Sequence, residues 1–310
     1  MKKYRFLSLF LLLVLSLSLT PASAAVPGQE DLNLFCTKAV LLDANHGEVL
    51  YDMNSSERAA PASTTKLMTC LLVLEAGQSG QMSLNTQITA GETTYQGLTG
   101  NFSTANIKVG EVLTVEELLY CLMLPSANEA ANVLAVAVDG SVEDFVSQMN
   151  RGAGELGCEG TRFANPHGMD HVNHYSTAYD LALMMQACLE HDEFITVTTT
   201  PKHNVPATNM SKEREIYNTN GLVSSWTYSS YLYDKCIGGK TGTTDAAGRC
   251  LVAAARDGDE VLISVILGSG PMEVPGEEKL KQGQFRESRR LLEYGFSNFH
   301  RVTITRGDEP

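Results

Sequence analysis

The sequence predicts an α/β protein of the α+β kind, with one antiparallel sheet flanked by helices and a separate all-helical lobe. Three observations predict it. Pairs of strand-length apolar runs lie near both ends of the chain, around Asn45-His46-Gly47 and around Asp257-Gly258. The stretch between them carries long helical patterns. A composition that is 43% hydrophobic and 19% charged can fill a sizeable core over 310 residues, which excludes global disorder. Hairpins from the two ends can share one sheet, leaving the middle helices as a second lobe. The cleft between two such lobes is a natural ligand site.

The chain opens on a segment outside that fold. Lys2, Lys3 and Arg5 precede an apolar run over residues 6–19, and Pro21-Ala22-Ser23-Ala24-Ala25 follows. A charged start, a short apolar stretch and a small-residue end read as a secretory signal peptide over residues 1–24. Its apolar part is about 14 residues, short of the about 20 that a spanning helix needs. One large domain is expected over residues 25–300, on the extracytoplasmic side, with a short tail over 301–310 in which 301–305 reads as a strand. No later run is long and apolar enough to span a bilayer, so no firm membrane anchor is expected in this chain.

The elements follow in order. Residues 39–43 and 48–53 form a hairpin around Ala44-Asn45-His46-Gly47. Residues 65–76 form a strongly apolar helix that ends at Gly77. Residues 115–124 are helical and stop at Pro125, and residues 129–138 form the next apolar helix. Ser176 is read as the cap of a helix over 178–190. Residues 250–256 and 261–267 flank Asp257-Gly258 as a second hairpin. A charged, amphipathic helix over 277–294 closes the domain.

The formal charge is −13, which argues against a nucleic-acid or anionic-membrane partner, since phosphates recruit basic faces. The seven cysteines are an odd count and none are spaced as CxxC, so zinc is not indicated by them. Cys70, Cys121 and Cys188 sit in apolar helical runs and read as buried thiols. Buried thiols are the expected state, with one disulfide left open.

Three motifs can carry chemistry. Ser63-Thr64-Thr65-Lys66 opens the first long helix, so Ser63 and Lys66 lie one turn apart on the same side. The helix dipole favours an alkoxide on Ser63, and a desolvated Lys66 amine can take its proton. The bland alternative is a helix cap and a surface lysine. By composition S-x-x-K is expected about once in a chain this long, so alone it says little. Ser126-Ala127-Asn128 lies just past Pro125. Its hydroxyl can relay a proton and its amide can orient a carbonyl, although Ser126 serves equally well as the N-cap of the next helix. Lys240-Thr241-Gly242, placed on a strand before the last hairpin, is expected in fewer than about one chain in ten of this size. There Lys240 and Thr241 can bind a carboxylate, and Gly242 permits close backbone approach. His167, His171 and His174 with Asp170 allow a metal reading, set against a histidine-bearing loop at the cleft.

Taken in this order, the three motifs resemble the signature of the penicillin-binding and serine β-lactamase superfamily. The flanks sharpen the likeness. Pro61-Ala62-Ser63-Thr64-Thr65-Lys66-Leu67-Met68-Thr69, Asn165-Pro166-His167-Gly168-Met169, Tyr175-Ser176-Thr177-Ala178-Tyr179-Asp180, and the segment Gly239-Lys240-Thr241-Gly242-Thr243-Thr244-Asp245 are similar to the low-molecular-mass D-Ala-D-Ala carboxypeptidases. The resemblance runs from about residue 38 to 299 and favours the loop reading of the histidines. It implies the penicillin-binding protein/β-lactamase-like transpeptidase fold, no cofactor, no metal, peptidoglycan stem peptides as substrate and β-lactams as covalent inhibitors. It also implies roles for individual residues. Ser63 is the nucleophile, Lys66 the general base and Ser126 the proton relay. Asn128, Lys240, Thr241, Gly242 and Thr243 form the substrate site, with the oxyanion held between the amides of Ser63 and Thr243.

Two departures stand out. Relatives commonly continue into a β-rich domain and a membrane-lying helix, which are expected to be missing here. Some also place arginines before the K-T-G strand and in the final helix, where this chain has Thr219 and Gln284, with Arg286 close by. Two rivals remain. A class A-like β-lactamase would need a Glu with Asn four residues on, between the second and third motifs, and no such pair occurs. A non-catalytic cell-wall binder would have little reason to keep all three motifs.

Overall fold

The structure, a computed structural model, describes residues 26, 29–226, 228, 230–273 and 280–300. The signal segment expected over 1–24, the tail strand expected over 301–305 and the start expected for the last helix at Glu277 lie outside these residues. The chain order is β1 (Lys38–Asp43), β2 (Glu48–Met53), α1 (Lys66–Gln78), β3 (Gln87–Thr89), β4 (Val112–Thr114), α2 (Val115–Met123), α3 (Asn128–Asp139), α4 (Val142–Glu155), α5 (Ala178–Cys188), α6 (Asp192–Thr199), β5 (Lys202–Val205), β6 (Arg214–Tyr217), β7 (Cys236–Thr244), β8 (Gly248–Asp257), β9 (Glu260–Ser269), β10 (Pro271–Met272), β11 (Lys281–Gln282) and α7 (Gly283–Asn298).

The two terminal hairpins meet as expected. They form one five-stranded sheet of order β2-β1-β9-β8-β7, in which β1 pairs antiparallel with β9 through Val40↔Val265 and Leu42↔Ile263. Alternate side chains of each strand point to opposite faces, and both faces are covered. Val40, Leu42, Ile263 and Val265 pack into the core of the helical lobe. Leu41, Leu262 and Ile266 pack against Phe285, Leu291, Leu292 and Phe296 of α7. Burial on both sides explains why these strands read as continuous apolar runs rather than alternating ones.

α1 is the axis of the helical lobe. Lys66 to Leu74 are all buried, as befits a helix that is apolar all round. α2, α3 and α4 pack around it, and α5 bridges it to the sheet. The expected cap of α5 shifts by one residue: Thr177, not Ser176, accepts from the Asp180 N–H. Two helices carry no strong sequence signal. α4 buries only Val142, Phe145, Met149 and Ala153, but Ser141 caps it by accepting from Asp144 N–H at 3.0 Å, a capping-box spacing that is visible in the sequence. α6 contains Ile195-Thr196-Val197-Thr198-Thr199, a β-branched run that reads as strand. It is helical because packing of its buried Phe194, Val197 and Thr198 overrides that preference, and Thr198 and Thr199 turn their hydroxyls back to the carbonyls of Phe194 and Ile195 at 2.8 and 2.6 Å.

Sheet and lobe meet at the turn before α1. Residues Ala62–Thr65 form a single 3-10 turn, with the Thr64 and Thr65 hydroxyls donating to the carbonyls of Pro61 and Ala62 at 2.6 and 2.8 Å. Two glycines allow the surroundings to close on it. A Cβ on Gly242 of β7 would lie 3.0 Å from the Ser63 nitrogen and 3.1 Å from the Pro61 oxygen. A Cβ on Gly168 would lie 1.9 Å from the Ala62 oxygen, and its φ of +91° disfavours any side chain. Gly168→Ala is therefore expected to destabilise the fold by about 2–4 kcal/mol through overpacking and strain. Urea unfolding measures this, and a wild-type midpoint would contradict the packing described.

Candidate active site

Lys66 is fully buried, and its Nζ joins three segments of the chain. It lies 3.0 Å from Ser63 Oγ, 2.7 Å from Asn128 Oδ1 and 2.6 Å from the His167 carbonyl oxygen. As a cation it donates to all three. As a neutral amine it has two N–H groups and one lone pair. The two carbonyl-type oxygens can only accept, so they keep the N–H groups, and the lone pair faces the Ser63 hydroxyl. Burial first, and then the like charge of Lys240, hold the Lys66 pKa well below its ordinary 10.5, while the charge of Glu129 acts the other way. The arrangement favours an amine that takes a proton from Ser63.

Ser63 does not cap α1. The residue preceding that helix is Thr65, whose side chain makes no capping bond, so the cap reading of Ser63 gives way to a serine whose hydroxyl partner is Lys66. Ser126 likewise does not cap α3, where the preceding residue is Ala127 and no side chain caps. Ser126 sits at a φ of +66°, a conformation unfavourable for serine, and its buried Oγ has no hydrogen-bond partner. A strained, unpaired hydroxyl that lines the same cavity as Ser63 suits a group that exchanges partners during a reaction.

β7 forms the opposite wall. Lys240 is buried rather than standing at a solvated strand tip, and its Nζ donates to the Thr241 carbonyl at 3.0 Å. Burial pushes its pKa down to about 7. The Thr241 and Thr219 hydroxyls lie 2.6 Å apart. Ser63, Ser103, Ser126, Thr219, Tyr228, Thr241, Gly242, Thr243, Gln284 and Phe285 line a cavity of about 180 Å³. Gly242 has a second role beyond exposing backbone to a ligand, since it lets β7 close on the Ser63 turn. Arg286 faces elsewhere: it pairs with Glu287 at 3.1 Å and lines a separate groove with Tyr231, Arg289 and Arg290. Thr219 and Gln284 are thus neutral groups of the cleft, and Arg286 is not part of it.

The sequence reading did not single out Ser103, Tyr228 or Phe285. Ser103 lies in a loop without periodicity and reaches the cleft because its carbonyl accepts from the Asn128 N–H at 2.8 Å. Tyr228 packs on Phe285 at 5.3 Å between centroids, a contact made across more than fifty residues that no local pattern signals.

The histidines act through their hydrogen bonds. His174 accepts from the Ala164 N–H through Nδ1 at 3.0 Å, and its Nε2 lies 2.8 Å from Thr65 Oγ1, whose own proton goes to Ala62. That network assigns the neutral tautomer with the proton on Nε2. His167 Nδ1 accepts from Met169 N–H at 3.2 Å, and His171 Nδ1 from Asn173 N–H at 3.1 Å. Among the described residues no cluster of His, Cys, Asp or Glu is placed to hold a metal. The cysteines are free thiols, and Cys70, Cys121, Cys158, Cys188 and Cys250 are buried.

Burial lowers the pKa of His167 to about 3 and that of His174 to about 4. The unfolded chain takes up both protons below the ordinary 6.5, whereas the folded chain resists until these lower values. Stability is therefore expected to fall as pH drops from 6.5 towards 4. His174→Gln should lose stability at neutral pH but show a shallower acid slope. Urea midpoints measured across this range check it, and parallel slopes would remove His174 as a contributor.

The chain is similar to known proteins over most of its length. A family model described as Peptidase_S11, D-alanyl-D-alanine carboxypeptidase, matches residues 24–270. The chain is 34% identical over 298 residues to the D-alanyl-D-alanine carboxypeptidase DacF of Bacillus subtilis, covering 95% of this chain and 72% of that one. It is 35% identical over 282 residues to DacC of Escherichia coli, covering 87% of this chain and 63% of that one, so it spans less than two thirds of the latter's length. Among solved structures, the Streptomyces K15 DD-transpeptidase superposes with a TM-score of 0.74 at 29% identity, over 85% of this chain and 98% of the other. With a penicillin-binding DD-peptidase fold and a family match over most of its length, the chain belongs to the peptidase S11 family, the D-alanyl-D-alanine carboxypeptidases.

Proposed function

We propose that this protein is a secreted serine-type D-Ala-D-Ala carboxypeptidase that removes the terminal D-alanine from peptidoglycan stem peptides. The observation that carries the reading is the position of Lys66 Nζ between Ser63 Oγ and two oxygens that hold its N–H groups. Residues 25–300 are read as the catalytic domain, and residues 1–24 as the signal that directs it across the membrane. Among the described residues no helix is long and apolar enough to cross a bilayer.

The residues divide the reaction as follows. Ser63 Oγ attacks the penultimate D-Ala carbonyl while its proton passes to the neutral Lys66 amine. The oxyanion lies between the N–H groups of Ser63 and Thr243, an arrangement worth about 3 kcal/mol per donor in comparable acyl transfers. Collapse of the tetrahedral adduct breaks the amide bond. The unpaired Ser126 hydroxyl is placed to pass a proton to the departing D-alanine nitrogen. Asn128 gives Oδ1 to Lys66 and keeps its N–H groups for the peptide carbonyl. β7 is an edge strand, so the peptide can lie along it as an added strand. The substrate carboxylate meets Lys240 and the hydroxyls of Thr241 and Thr243. Water then attacks the acyl-enzyme and restores Ser63.

β-Lactams enter the same chemistry. Their amide mimics the scissile bond and their carboxylate can take the Lys240 and Thr241 site. Among the described residues, the partners of Ser63 and Lys66 are an amine, an amide oxygen, a carbonyl and a hydroxyl, with no carboxylate to activate a deacylating water. General-base help is typically worth 10²–10⁴-fold. Benzylpenicillin should therefore leave one long-lived adduct on the peptide containing Ser63, read by mass spectrometry. Rapid turnover of the drug would favour a β-lactamase, and neither adduct nor turnover a non-catalytic binder. Ser63→Ala should abolish both D-alanine release and the adduct while costing about 1 kcal/mol of stability, because it loses one hydrogen bond.

Lys240 gives the reaction a pH signature. Its pKa of about 7 means that it is cationic below neutrality and neutral above. KM for substrates with a free terminal carboxylate should rise with pH through and above 7, while KM for the amidated analogue stays flat. Equal pH profiles for the two would take Lys240 out of carboxylate recognition.

A further inference from the structure

Glu129 follows Asn128 in the first turn of α3 and is fully buried. One of its oxygens, Oε1, accepts from the Thr104 hydroxyl at 2.6 Å and from the N–H groups of Ala105 and Ile107 at 2.7 and 3.4 Å. The other, Oε2, is buried without a hydrogen-bond partner. One turn further along α3, Asn132 Nδ2 donates to the carbonyls of Thr94 and Gln96 at 3.1 and 3.0 Å. With the Asn128 N–H on the Ser103 carbonyl, three residues of α3, Asn128, Glu129 and Asn132, tie down the segment over residues 94–107, whose Ser103 lines the cleft.

Anchoring alone does not call for a charge, since Asn132 performs the same task with a neutral amide. A buried carboxylate with one oxygen unpaired is costly unless it faces a cation. The residue beside it contacts the Lys66 amine, through Asn128 Oδ1 at 2.7 Å, and the Glu129 charge favours the protonated form of that amine. We propose that Glu129 is a positioning residue of the active site, whose carboxylate ties the Ser103 loop to the helix carrying Asn128 and sets the electrostatic field on Lys66. The proposal rests on the Ser63–Lys66 chemistry above.

The surroundings give the sign. Lys66 is faced by Lys240 from β7, by His167 and His174 from the loop over 165–175, and by Glu129 from α3. Burial and Lys240 favour the neutral amine, and Glu129 favours the ammonium. Tyr95 and Cys121 feel the Glu129 charge together with those of Glu111 and Arg214, which pair with each other at 3.0 Å. Glu129 thus keeps Lys66 from being a base too weak to draw the Ser63 proton, since amine basicity falls with its pKa.

Two variants separate the charge from the anchor. Glu129→Gln keeps an oxygen for Ala105 and Ile107 but removes the charge. The acid limb of Ser63 acylation by benzylpenicillin should move to lower pH, while KM for a D-Ala-D-Ala peptide changes by less than about threefold. Glu129→Asp keeps the charge but withdraws it by one methylene. Its acid limb should stay near that of the wild type, and KM should rise about tenfold as the loop loosens. Titration of the ¹³Cε resonance of Lys66 in the full chain, assigned with Lys66→Arg, reads the field directly and needs no turnover. A Lys66 midpoint unchanged in Glu129→Gln overturns the field role, and a wild-type KM in Glu129→Asp overturns the anchor. A shifted Lys66 midpoint with no wild-type adduct on Ser63 would instead overturn the carboxypeptidase reading and leave the field role standing.

Discussion

The buried Lys66 amine is the constraint on which the site depends. One nitrogen within 3.0 Å of Ser63, Asn128 and the His167 carbonyl fixes three segments that are distant in sequence. Burying such a group is tolerable only if its partners are supplied with good geometry. That requirement explains why the surrounding backbone is so closely determined. The 165–169 turn must bring a carbonyl to Lys66, so it closes on itself, with Asn165 Oδ1 accepting from the Gly168 N–H at 2.7 Å. Thr69 then donates to the Pro166 carbonyl at 2.6 Å and holds the turn against α1.

The electrostatics run against the character of the whole chain. A protein with a formal charge of −13 gathers two fully buried lysines, Lys66 and Lys240, at one cleft. Their proximity lets each serve a different purpose. In the proposed reaction, burial and the Lys240 charge depress Lys66 and free its lone pair, while Lys240, with a pKa of about 7, can still carry charge for a substrate carboxylate. A carboxylate entering the cleft would favour the charged form of Lys240, so substrate binding and its protonation support each other.

The division of the fold serves the same end. The sheet is rigid because both faces are packed, one by α7 and one by the helical lobe, and it presents β7 as an open edge. The lobe contributes the Ser63 turn, Ser126 and Asn128 from helix ends. A site built at the junction of two packed bodies is more sharply positioned than one built on loops. The loop over 94–107 is the exception, and α3 ties it down with Asn128, Glu129 and Asn132.

The sequence by itself determined the sheet made from terminal hairpins, the apolar α1 and the order of Ser63, Lys66, Ser126, Asn128, Lys240 and Thr241, because strand length, helical period and short motifs are local properties. It missed α4 and α6, the latter because its β-branched residues favour strand until Phe194 and Val197 are buried, and it placed the cap of α5 one residue early, since Ser176 and Thr177 are chemically alike there. Only the tertiary structure decided that Ser63 and Ser126 are not caps, that Arg286 turns away to Glu287, and that Ser103, Tyr228, Gln284 and Phe285 wall the cleft. Each of those facts depends on which residues far apart in sequence are brought within a few ångströms, and on how deeply they are buried once there.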